Sequence, residues 1–356
     1  MGLAILSIGT SVPSDPISQS RAAEMTSEVA GHTEAEAAKL SILYGLTGVT
    51  RRHAAMLDDG ESVPELVSHS ANGPSTAWRM TRYEEKVGPM ARQAACEAVE
   101  RSGVDPKTLT HLVTVSCTGF SAPGFDLGLI RDLNLSPSIQ RTHVGFMGCH
   151  GALNGLRVAR AIVGSEPGSR VLLCAAELCS LHFRFGGDAG QSITNALFAD
   201  GAAAVVAAPS NEVGTGLWSV VANGSYVIPN SPEAMTWRIG DHGFEMTLSP
   251  EVPALIQDNL ASWIDGWLGQ NGLKVSDIGS WAVHPGGPRI LDAVRTTLGL
   301  DKDMMTDARE VLSGFGNISS PTILFLIDKL IRREAKRPCV AIGFGPGLVV
   351  EAALIN

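Results

Sequence analysis

Short, almost uninterrupted apolar runs recur along the chain. LAILSI at residues 3–8 is followed by a Gly/Pro loop and predicts a first buried strand. VLLCA (171–175), GAAAVVAA (201–208), CVAIG (339–343) and GLVVEAALI (347–355) have the same character. Runs without polar alternation suit strands covered on both faces. Two longer apolar segments, about 151–163 and 320–333, each predict one long buried helix. None approaches the ~18–20 apolar residues of a membrane span. The N-terminus lacks the basic region and small-residue cleavage site of an export signal, so a cytoplasmic protein is expected.

The pattern repeats. SGVDPKTLTHLVTVS (102–116) parallels NGLKVSDIGSWAVHP (271–285): a helix end with Gly, a polar turn, an apolar strand. VLLCA and CVAIG lie 168 positions apart (339 − 171), and so do Cys149 and Asn317 (317 − 149). Each of those two residues stands at the start of one long apolar helix. Agreement at several landmarks predicts an ancient duplication, with halves over residues 1–210 and 211–356. Each half would bring a helix N-terminus near a pseudo-twofold axis.

Composition narrows the function classes. The chain has 356 residues, 44% hydrophobic and 18% charged, which is a globular composition with a sizeable core. A net charge of −9 argues against nucleic-acid binding. An anionic ligand would need a local basic patch, and Arg51-Arg52 is one candidate. The six cysteines (96, 117, 149, 174, 179, 339) have no CxxC or Cys/His metal spacing, so reduced thiols and no metal are expected.

Three residues carry candidate chemistry. Cys149, in GFMGCHGALNGL, follows an extended segment and opens a helix between Gly148 and Gly151. A helix N-terminus offers unpaired N–H groups and partial positive charge, which lower a thiol pKa. His284, in WAVHPGGPRIL, ends a strand at a Gly-rich turn; Asn317 lies in GFGNISSPTIL. Singly, Cys149 is equally a buried cysteine, while a structural histidine and a helix N-cap are the commoner readings of the other two. Together they are a nucleophile, a partner base and an amide donor.

These motifs, with GFGPG (343–347), SCTGFSAPGFD (116–126), PSTAWRMTRYE (74–84) and ALFADGAAAV (196–205), resemble the type III polyketide synthases, the chalcone synthase-like branch of the thiolase superfamily. The resemblance runs almost the whole length. It implies an α/β thiolase fold of five αβαβα layers and a homodimer. It implies a Cys149, His284, Asn317 triad: Cys149 takes a starter acyl group from acyl-CoA, and His284 stabilises the thiolate. His284 and Asn317 then hold the thioester oxygen of malonyl-CoA as it decarboxylates. Claisen condensations repeat before cyclisation to a pyrone, resorcinol, phloroglucinol or chalcone-type product. No cofactor or metal is implied, because the CoA thioesters are substrates.

The resemblance also implies pocket residues. Phe198 matches a gatekeeper phenylalanine between CoA tunnel and cavity. Met246 stands where a second phenylalanine is usual, and His182 where a starter-pocket threonine is usual, adding a titratable group. Ala122 replaces a methionine that crosses the dimer interface. Ser319 and the loop residues Gly343, Phe344, Gly345, Pro346 and Gly347 complete the substrate site. Lys39, Arg51 and Arg289 are the candidate CoA contacts, and FGGDAGQS (185–192) is two residues short of the plant-type pattern. Two alternatives stay open: a single-condensation enzyme similar to β-ketoacyl-acyl-carrier-protein synthase III, and a non-catalytic acyl-CoA-binding protein. HPGG and GFGPG favour the polyketide branch.

Overall fold

In the computed structural model, residues 2–13, 15–57, 72–185, 189–214 and 216–356 are described, with backbone only for 189–191. The first half is built on β1 (Leu3–Ser11), which runs three residues past the expected end, and on β4 (His111–Ser116), β5 (Gln140–Gly145), β6 (Val171–Leu178) and β7 (Asp200–Pro209). A short ribbon of β2 (Pro16–Ser18) and β3 (Arg51–His53) lies apart from them. The second half uses β8 (Ser219–Val227), β11 (Ser280–Val283), β12 (Cys339–Gly345) and β13 (Val349–Ile355). Between them, β9 (Met235–Gly240) and β10 (Gly243–Leu248) form a hairpin.

The strand order is β11-β12-β13-β8-β1-β7-β6-β4-β5. Read outward from the β1–β8 contact, β7-β6-β4 in one half matches β13-β12-β11 in the other. The pairing types match as well: β4 with β6 and β11 with β12 are parallel, while β6 with β7 and β12 with β13 are antiparallel. The duplication read from spacing is therefore a duplication of topology. Only β5 lacks a strand counterpart among the described residues, and it is an edge strand with four of its six residues exposed.

The unbroken apolar runs are explained by cover on both faces. In β6, Val171, Leu173 and Ala175 face the central core, while Leu172, Cys174 and Ala176 face the outer one. The outer cover is the helix Thr76–Ser102, which presents Val87, Ala91, Ala94 and Ala98 to β1, β6 and β7. In the second half, Val252–Gln270 presents Val252, Ile256, Leu260, Ile264 and Leu268, four residues apart, as one buried stripe. The two helices between the halves are Gly151–Ser165 and Thr322–Arg332. The first touches strands of both halves, and the two touch each other. This is the five-layer αβαβα thiolase architecture. Among the described residues no helix is long and apolar enough to cross a membrane.

Candidate active site

Cys149 sits in a 3-10 turn, Gly148–His150, that leads directly into the central helix. Its local geometry is fixed by close packing. Gly148 has φ 71°, and a Cβ there would lie 2.3 Å from Pro346 Cδ. A Cβ on Gly345 would lie 2.4 Å from the His150 ring and 2.8 Å from the Met147 carbonyl. The GFGPG loop thus presses its backbone onto the thiol turn, and bulk on either side would separate them. Gly343 and Gly345 thus pack against His150, and Gly347 takes a left-handed φ of 78°. Pro346 and Phe344 do line cavities.

The thiol's electrostatics also differ from expectation. Cys149 is buried, and burial pushes its pKa up to about 11. The Ser319 and Asn317 side chains act against that shift, while the charge of Glu177 adds to it. A helix end was expected to lower the pKa, but the loss of water around a buried thiolate is the larger effect.

His284 follows β11. Its N–H donates to the Ile342 carbonyl at 2.8 Å, and its own carbonyl accepts from Gly286 N–H at 2.9 Å. The ring is fully buried, and among the described residues neither Nδ1 nor Nε2 has a hydrogen-bond partner. Burial, aided by neighbouring His150, lowers its pKa to about 3. A buried imidazole with two unmet nitrogens is costly in a purely structural role. His150, by contrast, is tied to Asn154 Oδ1 through Nδ1 at 2.7 Å.

Asn317 is held by a parallel bridge to Phe198: its N–H donates to the Leu197 carbonyl, and its carbonyl accepts from Ala199 N–H. Its Oδ1 accepts from Ser319 N–H at 2.8 Å. It does not cap the following helix, whose N-cap is Pro321. With Oδ1 engaged, the amide nitrogen is the group left for the thiol side. Ser319 adopts a left-handed φ of 57°, an uncommon and costly backbone for a serine. The result places its Oγ 3.6 Å from both Cys149 Sγ and Cys117 Sγ.

Cys149, His284 and Asn317 line one small cavity together with Phe198, Met246 and Phe344. A larger cavity shares Cys149, Phe198 and Met246 with it. Phe198 borders both spaces; it is half-buried and packs against Val49, Leu197 and Leu312.

Other expected residues fall differently. His182 is on the large cavity's wall, but it does not titrate near neutrality. Nε2 is bonded to the Thr118 carbonyl at 2.7 Å, Nδ1 accepts from Phe244 N–H at 2.9 Å, and burial lowers its pKa to about 3. Ala122 is exposed and outside both cavities. Lys39 and Arg51 are exposed and line neither cavity. Arg52 is buried, with its guanidinium on the carbonyls of Asn195 and Phe198, so the pair is not a solvated patch. Arg289 is exposed and bonded to the Pro250 carbonyl, next in sequence to Ile290 of the small cavity. Residues 186–188 of the shortened FGGDAGQS segment lie outside the described residues.

One group was missed. Glu177, fully buried, accepts hydrogen bonds from Cys117 N–H (3.0 Å), Thr118 Oγ1 (2.7 Å), Ser320 Oγ (2.8 Å) and Cys117 Sγ (3.3 Å). Burial raises its pKa, and these donors oppose the rise. It ties the end of β4 to the Ser319-Ser320 turn. The available signal was a carboxylate inside the otherwise apolar run VLLCAAEL.

Comparison with known proteins agrees with this site. Family models described as chalcone and stilbene synthases match residues 2–210 (N-terminal domain) and 219–356 (C-terminal domain). The chain is 33% identical over 379 aligned positions to bisdemethoxycurcumin synthase of Oryza sativa subsp. japonica, covering 99% of this chain and 92% of that one. It is 32% identical to the α-pyrone synthesis polyketide synthase-like Pks18 of Mycobacterium tuberculosis, covering 78% and 72%. The crystal structure of PKS-I from the brown alga Ectocarpus siliculosus superposes with TM-score 0.93 at 30% identity, covering 100% and 98%. The chain is an acyltransferase-type enzyme and belongs to the chalcone and stilbene synthase family of type III polyketide synthases.

Proposed function

We propose that the chain condenses malonyl-CoA onto a starter acyl-CoA, with Cys149 as nucleophile and His284 and Asn317 as oxyanion donors. The observation that carries this reading is the small cavity where a thiol, an unpartnered imidazole and an amide meet behind Phe198. Neither Cys149 nor His284 can charge alone in so dry a site. Proton transfer from the thiol to the imidazole creates both charges together, and each compensates the other.

The thiolate attacks the starter carbonyl, and the CoA thiolate leaves, taking the proton from His284. Malonyl-CoA then loses carbon dioxide, and its thioester oxygen gains negative charge. His284 and Asn317 donate to that oxygen, an interaction stronger in the transition state than in the ground state. The resulting carbanion attacks the Cys149 thioester; a C–C bond forms and the C–S bond breaks. Phe198 keeps the malonyl carboxylate poorly hydrated, which favours loss of its charge as carbon dioxide. Only CoA thioesters are needed, and no metal or redox cofactor takes part.

Arg289 is our choice for a CoA contact, since it is exposed beside a segment that lines the small cavity. Exposed Phe120 and Met147, with the open edge strand β5, support a homodimer interface near Ala122. Six cysteines without a disulfide suit a reducing compartment, and we place the enzyme in the cytoplasm.

The test is mass spectrometry of products from purified enzyme, malonyl-CoA and a panel of acyl-CoAs, beside Cys149→Ala. Poly-β-keto-derived pyrones or aromatics, absent in the variant, are expected. A single condensation, or activity only with an acyl-carrier protein, would point instead to a ketoacyl-synthase activity.

A further inference from the structure

We infer that the starter is an unsubstituted aliphatic acyl chain, and that Met25 and Val29 set how long a chain is accepted. This rests on the condensing reading and names its starter class. The large cavity begins at buried Cys149 and reaches the helix Gln19–Ala30, whose Ala22, Met25, Thr26 and Val29 line it. Their spacing of three, four and seven places all four on one helix face. Met25 and Val29 are half-exposed while Cys149 is buried, so the cavity climbs from the core toward the surface. The stripe offers about 10 Å of wall along the helix axis.

Most polar side chains on this wall already have partners within the protein. Thr26 Oγ1 bonds to the Ala22 carbonyl and to Tyr44 Oη. Both faces of the Asn195 amide are used by the Arg184 backbone. Ser180 donates to Asp200, and Thr118 to Glu177. Arg52 is held by two carbonyls, and both nitrogens of His182 are engaged. A hydroxyl on a starter would lose water and gain little in return. Methylenes gain burial without that loss. Met25, Met56, Met235 and Met246 supply walls that adapt to chain length.

The experiment measures kcat/KM for saturated acyl-CoAs from two to sixteen carbons and for a hydroxycinnamoyl-CoA, with the native enzyme, Met25→Trp and Val29→Trp. For the native enzyme kcat/KM should rise with length, by up to about fourfold per buried methylene, and then level off. The hydroxylated aromatic should fall about 10²-fold below the best aliphatic starter. Each tryptophan variant should lower the long-to-short ratio of kcat/KM at least tenfold and bring the plateau to a shorter chain. Thermal melting of both variants separates blockage from misfolding, and two independent positions protect against loss of one. Native preference for the hydroxylated aromatic, or an unchanged ratio in both folded variants, would overturn the inference. Release of carbon dioxide from malonyl-CoA, measured without starter, reports on the condensing reading separately. If it persists while length dependence is absent, only the starter assignment fails.

Discussion

The two halves share one topology and do different chemistry. In the first, the turn before the central helix holds a buried thiol, Cys149. In the second, the matching turn 168 positions later holds an amide, Asn317, bridged to Phe198 of the first half. The strand ends differ likewise. β4 leads to Cys117 and Thr118, which are bonded to Glu177; β11 leads to His284, whose ring has no hydrogen-bond partner among the described residues. These polar groups of the first half satisfy one another, and the second half's imidazole has no partner among the described residues. Duplication gave two similar turns near one axis, and divergence placed a thiol on one and an amide on the other, which the proposed function uses as nucleophile and donor.

The largest effect should come from the first half's thiol. Cys149→Ala should abolish carbon–carbon bond formation, lowering condensation by at least about 10⁴-fold. Condensation surviving in that variant would remove the nucleophile from the first half.

The link between the halves is next. Burial, with the charge of Glu177 adding to it, pushes the Cys149 thiol up to about 11, and a charged His284 is what would bring it down. A raised pKa keeps the thiol neutral and unreactive until the pH passes it. In His284→Gln the rate of alkylation by iodoacetamide should therefore still climb above pH 9. In the native enzyme it should level off at lower pH. Coincident pH profiles would mean that the halves are not coupled at the thiol.

A packing effect is smaller. Gly345→Ala drives a methyl into the His150 ring and the Met147 carbonyl. Overpacking of this kind costs about 1–3 kcal/mol, and calorimetry should find Tm lower by a few degrees. An unchanged Tm would mean that the loop gives way and does not fix the thiol turn. The smallest effect is expected at Met246, which borders both cavities. Met246→Phe should shift relative starter preference by up to about tenfold; constant preference would take this position off the wall.

How much of this was legible in the sequence follows from which signals are local. Apolar runs and the 168-residue spacing mark strands and a duplication because both depend on chain order. The triad was nameable because Cys149, His284 and Asn317 stand at element ends between small residues. Their electrostatics were not legible. Burial depth is a property of packing, and it reversed the expected shift at Cys149 and removed the titration expected of His182. Contacts across long separations were also hidden. Nothing near GFGPG in sequence says that its glycines meet His150, and Glu177 looked like one charge in a strand. Asn317 looked like a cap because helix starts are inferred from neighbours, whereas its partner is Phe198.

The division of labour itself is tested most directly by malonyl-CoA decarboxylation in the absence of starter, compared among Cys149→Ala, His284→Gln and Asn317→Ala. The account predicts that Cys149→Ala still releases carbon dioxide at a rate within about tenfold of native, while each of the other two loses about 10²–10³-fold. Loss in Cys149→Ala equal to that in the other two, or full activity in both His284→Gln and Asn317→Ala, would contradict it.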